Sequence, residues 1–421
     1  MEKIQSLPGF RDFYPDTCAV RNYVFAQWRS VARRYGFVEY EVPVLESTDL
    51  YRRKSGDEIV KQLFHFTDSG EREVALRPET TPSLARMAAA RQRDYRKPMK
   101  WFQVGACFRY EKPQKGRGRE FYQFNADILG EKHHAADADL IALAIDVMLA
   151  FGFRAGDFRV RLSDRNVWPE FLRSENVAEE HTAAFLQIID KLEREKEEVT
   201  AAKLADMGTS LTAVRSFIAA KAAGYAPLQS IMADLTARGL AEYVAIDLNI
   251  VRGLAYYTGT VFEVFDLGRG MRAVAGGGRY DNLCQLIGGV DLAAVGFAMG
   301  DMVIGDLIRE TPHANATMQQ WLAGTGKVDL YVITASEARR AEALAIVQSL
   351  RAAGHAVDFS YTADKVGKQF QLAEQLGARL AIIIGDEYPQ VKVKDLATRT
   401  EQSIPAESLA SAITALLTAP V

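Results

Sequence analysis

Cysteine is scarce in this chain. Its three cysteines, Cys18, Cys107 and Cys284, stand far apart, with no Cys-x-x-Cys pair and no His at ligand spacing. Neither a zinc site nor a disulfide framework is readable, which fits a reducing compartment. Long apolar runs are missing too: "ARLAIIIG", the most hydrophobic stretch, is far too short to span a bilayer. The opening "MEKIQSLPGFRDFYPD" lacks the apolar core of a secretory signal, so a cytoplasmic protein with no membrane partner is expected. Nor does one sign of charge dominate. The 51 Lys and Arg against 54 Asp and Glu leave a net charge of −3, which gives no global attraction to nucleic acid and leaves any polyanion to local basic sites. No P-loop, no G-x-G-x-x-G, no short repeat and no low-complexity tract occurs.

What is present is an ordinary globular composition, 48% apolar and 25% charged over 421 residues, enough for two or three cored domains. Residues 17–36 read as an amphipathic helix closed by Gly36, and "FVEYEVPVLES" then alternates like a strand, with Pro43 marking an edge, an end or a bulge. Between about 100 and 130, two alternating runs flank a basic turn and predict an antiparallel hairpin. Residues 166–240, rich in Ala, Glu, Lys and Leu, predict helices. Strand-like segments return in "AIDLNIVRG", "TGTVFEVFDL" and "MRAVAGGG", so the helical block reads as an insertion into one sheet domain made of residues 1–165 and 241–310. A polar, turn-rich linker is expected over 311–326. Beyond it, strands alternate with helices across 327–421, as βαβ units of a small α/β domain do. The fold class expected is therefore α+β with an added α/β domain.

Four stretches carry candidate chemistry. In "FRYEKPQKGRGREFYQFNAD", period-two alternation sets Arg109 and Glu111 on one face of the first strand, and Arg119, Phe121 and Gln123 on one face of the second. Guanidinium, carboxylate, aromatic plane and amide together suit an adenine nucleotide beside a second polar ligand, with Lys115 and Arg117 in a flexible turn over the outer phosphates. The same residues also suit a solvated surface hairpin. "ALRPETTPSLAR" places Glu79 beside Thr80 and Thr81 just ahead of a helix, where the hydroxyls could equally cap. "NIVRGLAYYTGTVFEVF" groups Arg252, Tyr256 and Tyr257 among small residues, and "AVAGGGRYDNL" leads three glycines into Arg279, where a tight turn or close packing is the plainer explanation.

In this order and over this length, from about residue 5 to 418, these stretches resemble the histidyl-tRNA synthetases, of the class II aminoacyl-tRNA synthetase fold. "GFVEYEVPVLEST" resembles motif 1, the dimer-interface strand, with its proline at Pro43. "FRYEKPQKGRGREFYQFNADILG" resembles motif 2, and "VRGLAYYTGTVFE" and "AGGGRYD" resemble the two histidine-specific signatures. The C-terminal segment is similar to the anticodon-binding domain of the same subgroup. The resemblance implies a class II antiparallel-sheet catalytic domain with a helical insertion. It also implies activation of L-histidine with ATP and transfer to the 3′ end of tRNA(His), by a homodimer paired through motif 1, with Mg2+ accompanying the ATP.

The same resemblance implies roles for individual residues. Arg252 and Arg109 would be catalytic, clamping the α-phosphate between them. Glu79, Thr80, Thr81, Arg109, Gln123, Asp127, Arg252, Tyr256 and Tyr257 would hold histidine, with Asp127 and Tyr257 at the two imidazole nitrogens. Arg109, Glu111, Arg117, Arg119, Phe121 and Gln123 would hold ATP, and Lys112, Gln114 and Lys115 would meet the tRNA acceptor end. No resident metal is implied. Two motifs depart from the pattern: Ala255 replaces the commoner Asp, and Met302 and Val303 in "GFAMGDMVIGDLI" stand where motif 3 usually carries an acid and an ATP-binding arginine. The alternative the departures raise is an inactive histidine-binding paralogue, such as the regulatory subunit of ATP phosphoribosyltransferase. Those relatives usually lack the C-terminal domain.

Overall fold

The structure, a computed structural model, describes residues 4–418 apart from 194, 222–223, 252–255 and 269–272. It divides into two compact units, Met1–Gln319 and Gln320–Val421.

The first unit is built on an eight-stranded sheet. Its strands are β1 (Val38–Glu39), β2 (Met99–Phe108), β3 (Glu120–Leu129), β4 (Phe158–Asp164), β5 (Val244–Ile246), β6 (Thr260–Asp266), β7 (Ala275–Arg279) and β8 (Ala294–Gly300). In space they run β1-β2-β3-β8-β7-β6-β4-β5. From β2 across to β4 each neighbouring pair is antiparallel, while β1 joins β2 and β5 joins β4 in parallel.

Period-two alternation decides which face is which. On β3, Phe124 turns to one side, where its ring stacks on Trp28 of the helix Pro15–Arg34 with centroids 5.8 Å apart. The helix Ala135–Ala150 is apolar except for Asp137, Asp139 and Asp146 and is largely buried, against the same sheet. The buried sides of these two helices thus cover one face. The odd-numbered residues of β3, Phe121, Gln123, Asn125 and Asp127, emerge on the other, which is the face of the site.

The expected hairpin is β2 and β3, in register from Met99 opposite Leu129 to Phe108 opposite Glu120. The expected single strand around Pro43 is two short ones: β1 joins the large sheet, whereas Leu45–Ser47 belongs to a separate three-stranded sheet with His65–Thr67 and Glu73–Leu76. Proline cannot donate to a ladder, and the chain changes sheets there. The inserted block is helical, with helices Val167–Ser174, Thr182–Lys191, Glu197–Asp206, Leu211–Lys221 and Ala226–Ala237. Rings of Trp168, Phe171, Phe185 and Phe217 pack together within it.

The expected linker over 311–326 is a correction: most of it is the helix Pro312–Ala323. Proline is at home in a first helical turn, and Ala314 and Met318, four apart, turn inward together. The second unit is a five-stranded mixed sheet of β9 (Leu330–Thr334), β10 (Val357–Phe359), β11 (Leu380–Ile384), β12 (Gln390–Asp395) and β13 (Glu401–Pro405), in the order β10-β9-β11-β12-β13. The first three strands are parallel, as βαβ crossovers through the helices Arg340–Ala352 and Val366–Gln375 require. The sequence reading did not anticipate β13. Its residues, Glu401–Pro405, are exposed apart from Ile404, so no apolar alternation marks it.

Candidate active site

Two connected hollows open on the exposed face of the large sheet. A wide cleft of about 950 Å³ is lined by Arg109, Glu111, Arg117, Phe121, Met302 and Val303 on one side and by Arg161, Glu193, Glu263 and Phe265 on the other. A small inner pocket is lined by Glu79, Thr81, Asn125, Asp127, Tyr256, Tyr257 and Tyr280. Arg109, Gln123, Gly276 and Ala298 border both, so the one leads into the other.

Arg109 stands at that junction. Its Nε donates to the Pro78 carbonyl at 3.1 Å, and its guanidinium lies 5.1 Å from the centre of the Phe121 ring. The stretch before Glu79 therefore fixes the arginine from one side and an aromatic plane from the other. At the hairpin tip, Gln114 and Arg117 close a turn through reciprocal backbone bonds of 3.1 and 2.8 Å. Gly116 holds φ +73° in this turn, where other residues are strained. Arg117 donates to Glu111 at 3.0 Å. Lys112, Gln114 and Lys115 are exposed at the tip, Lys115 lying 3.2 Å from Glu310.

The inner pocket ends at Asp127, which is 3% exposed and accepts from the Tyr280 hydroxyl at 2.5 Å. Burial pushes its carboxyl up to about 7, with the Tyr280 hydrogen bond pulling the other way. The Tyr280 hydroxyl is held well above its ordinary range by burial and by the Asp127 charge. Room for the carboxylate comes from the neighbouring strand. Gly296 faces Asp127 in register, and a β-carbon there would collide with the carboxylate oxygen. Gly278 likewise has the Thr260 carbonyl and the Tyr257 ring where a β-carbon would go. Rings of Tyr256 and Tyr257 lie 4.7 Å apart, and Tyr256 meets Tyr280 edge-on.

The structure thus brings together Glu79, Thr81, Arg109, Gln123, Asp127, Tyr256 and Tyr257, and along the cleft Glu111, Arg117 and Phe121. Two expected residues do not join them among the described lining. Thr80 is fully buried at the N-cap of the helix Thr81–Arg91. Arg119 precedes the first paired residue of β3, so strand alternation does not govern it. It turns toward the Glu111 carbonyl at 3.3 Å and over the Tyr110 ring. Arg252 and Ala255 lie outside the described residues. Arg279 is structural, its buried guanidinium bonded to Asp137 and to the carbonyls of Glu131 and His133. Met302 and Val303 do line the cleft, close to the glycines of the hairpin turn. Asp301 just before them is tied to the hairpin through the Tyr122 amide and to Arg11, each at 2.8 Å.

Tyr280 and Lys54 were missed by sequence reasoning. Tyr280 lies inside the quoted "AGGGRYD" and two residues from the glycines that shape the pocket, which was the available signal. Lys54 pairs with Glu79 from within a run of charges that nothing in the sequence distinguishes.

A largely antiparallel sheet carrying a basic hairpin, with a small polar pocket opening into a wide cleft, is the arrangement of the class II aminoacyl-tRNA synthetase fold. The family described as Histidyl-tRNA synthetase matches residues 9–302, and Anticodon binding domain matches residues 329–416. The chain belongs to the histidyl-tRNA synthetase family. A histidine–tRNA ligase of Opitutus terrae is 43% identical over 97% of this chain and 98% of its own length. One of Thermoplasma volcanium is 36% identical over 96% of each. A solved histidyl-tRNA synthetase of a Nostoc species shares the fold with a TM-score of 0.76, covering 99% of this chain and all of that one at 24% identity. No helix among the described residues is long and apolar enough to cross a membrane.

Proposed function

We propose that this chain is a histidine–tRNA ligase, which activates L-histidine with ATP and transfers the histidyl group to the 3′ end of tRNA(His). The observation that carries the reading is the buried Asp127 carboxylate at the end of a pocket that also presents Tyr256 and Tyr257 and opens at Arg109 into the cleft. An acceptor and a hydroxyl at opposite ring nitrogens select an imidazole, because any other side chain would leave buried polar groups unpaired. Glu79 takes the amino group, and Gln123 and Arg109 take the carboxylate.

ATP, as its magnesium complex, occupies the cleft with adenine against Phe121 and Glu111 and the outer phosphates at Arg117. Attack of the histidine carboxylate on the α-phosphorus forms the adenylate and releases pyrophosphate. Both reactants are anionic, so catalysis rests on positioning and on stabilising charge at phosphorus. Arg109 does this from the described side of the cleft, and Arg252 is assigned the other side. Lys112, Gln114 and Lys115 at the exposed tip are assigned to the tRNA acceptor end. The anticodon-type second unit argues against a purely regulatory paralogue. The test is ATP–pyrophosphate exchange by the purified chain, expected with histidine and with no other amino acid. Absence of exchange with histidine would overturn the reading.

We also propose that the chain is a cytoplasmic homodimer. Val38 in β1, Leu45 in the second short strand and Val44 between them are exposed apolar residues on the motif 1 segment. An isologous pairing through that segment would cover them. Light scattering at micromolar concentration is expected to give twice the 46.6 kDa chain mass; a monomer would exclude this assembly.

A further inference from the structure

Among the described charged side chains of the run "YRRKSGDE", Lys54 alone turns inward. It lies in the last turn of the helix Thr48–Ser55, and its side chain is only 2% exposed, whereas Arg52 pairs at the surface with Asp49 and Glu73. Its ammonium is ion-paired with Glu79 Oε1 and lies 4.1 Å from the centre of the Tyr256 ring. Glu79 and Tyr256 both line the inner pocket. Burial draws the Lys54 ammonium below its ordinary range, with Glu79 acting against the shift. Burying an ammonium is costly unless it is paired, and helix termini commonly place such charges in water. The placement therefore calls for a reason inside the pocket.

We infer that Lys54 is a positioning residue for the amino-group end of the histidine pocket, holding the Glu79 carboxylate by one oxygen and the Tyr256 ring by its face. The inference rests on the pocket reading above. A carboxylate has two oxygens. With Oε1 engaged by Lys54, Oε2 is left to accept from the ligand ammonium, and the carboxylate is already ordered before histidine arrives. The cation over the Tyr256 face holds the adjoining wall in the same way. Lys54 touches neither histidine nor ATP in this account. Its effect is confined to ligands that carry the α-amino group.

That confinement supplies the test. Binding of histidine, histidinol and imidazolepropionate is measured on the full chain by calorimetry, for wild type, Lys54→Met and Lys54→Gln. Histidinol keeps the amino group and lacks the carboxylate; imidazolepropionate keeps the carboxylate and lacks the amino group. Lys54→Met is expected to weaken histidine and histidinol by about 30-fold and imidazolepropionate by less than about threefold. Lys54→Gln, which can still donate to Glu79 without a charge, is expected to show the same discrimination to a smaller degree. It serves as the readout if Lys54→Met does not fold by thermal unfolding. Equal weakening of all three ligands, or of none, would overturn the inference while leaving the pocket reading intact. Failure of wild type to bind either histidine or histidinol would overturn both.

Discussion

Replacing Asp127 by Ala is expected to cut histidine-dependent pyrophosphate exchange by about 1,000-fold or more, with the fold retained. The carboxylate is a buried acceptor of the pocket and accepts from the Tyr280 hydroxyl. Its removal takes away the carboxylate to which both the Tyr280 hydroxyl and an imidazole N–H would donate, and a site that leaves buried polar groups unpaired rejects its ligand strongly. Asp127→Asn, which keeps the shape, separates charge from volume. The pH dependence follows from the same burial. The Asp127 carboxyl is raised from about 3.8 to about 7 in the folded protein, so its contribution to stability is fully present below the lower value and is lost as pH rises through the upper one. Histidine binding gains as Asp127 ionises, because the carboxylate accepts from the imidazole N–H more strongly than the protonated carboxyl does. The kcat/KM for histidine is expected to climb through about pH 7 and level off above it. Free histidine's own imidazole titrates nearby, so the Asp127 component is the part of the climb that Asp127→Asn removes. Near-normal activation by Asp127→Ala would sink the pocket assignment.

Replacing Arg252 by Ala is expected to slow adenylate formation about 100- to 1,000-fold while changing ground-state binding of histidine and ATP little. A guanidinium that acts on charge developing at the α-phosphorus contributes mainly in the transition state. Arg117 provides the contrast. It is half-exposed at the hairpin turn and paired with Glu111, and its role is to hold the outer phosphates. Arg117→Ala is expected to raise the apparent ATP requirement about tenfold and to leave the rate at saturating ATP nearer to wild type. Single-turnover adenylate formation across ATP concentrations checks both. If Arg252→Ala keeps the wild-type rate at saturating ATP, the proposed mechanism is wrong and the regulatory alternative gains weight.

The fold was legible where residue pattern and local geometry agree. β3 alternates from Tyr122 to Ile128 and pairs with β2 across a glycine-bearing turn, so the hairpin and the site face of β3 follow from period two. The inserted helices follow from their helix-forming composition. The helix Pro312–Ala323 was hidden because its Asn, Thr and Gln residues resemble a loop, and only the spacing of Ala314 and Met318 betrays an inward face. Arg119 was misplaced by extending the strand period one residue beyond the ladder, which begins at Glu120. Thr80 and Thr81 are adjacent hydroxyls, and which of them faces the pocket is decided by the turn into the helix. Lys54 and Tyr280 depend on where distant segments cross, and no spacing within either segment encodes that crossing.

Gly296, lying opposite Asp127 with no room for a further carbon, has a consequence for how this family member can change. Gly296 borders the pocket beside Asp127, and on the next strand Gly278 is similarly confined beneath the Tyr257 ring. A larger residue at either position would not narrow the cavity by degrees; it would displace the acceptor or the Tyr257 ring outright. Preference for another amino acid is therefore not reachable by small steps from beneath. It would have to come from the side walls, at Tyr256 or Thr81, where a change in shape leaves the acceptor in place. The glycines act as a mutational barrier that keeps the choice of substrate fixed while the surrounding surface is free to drift.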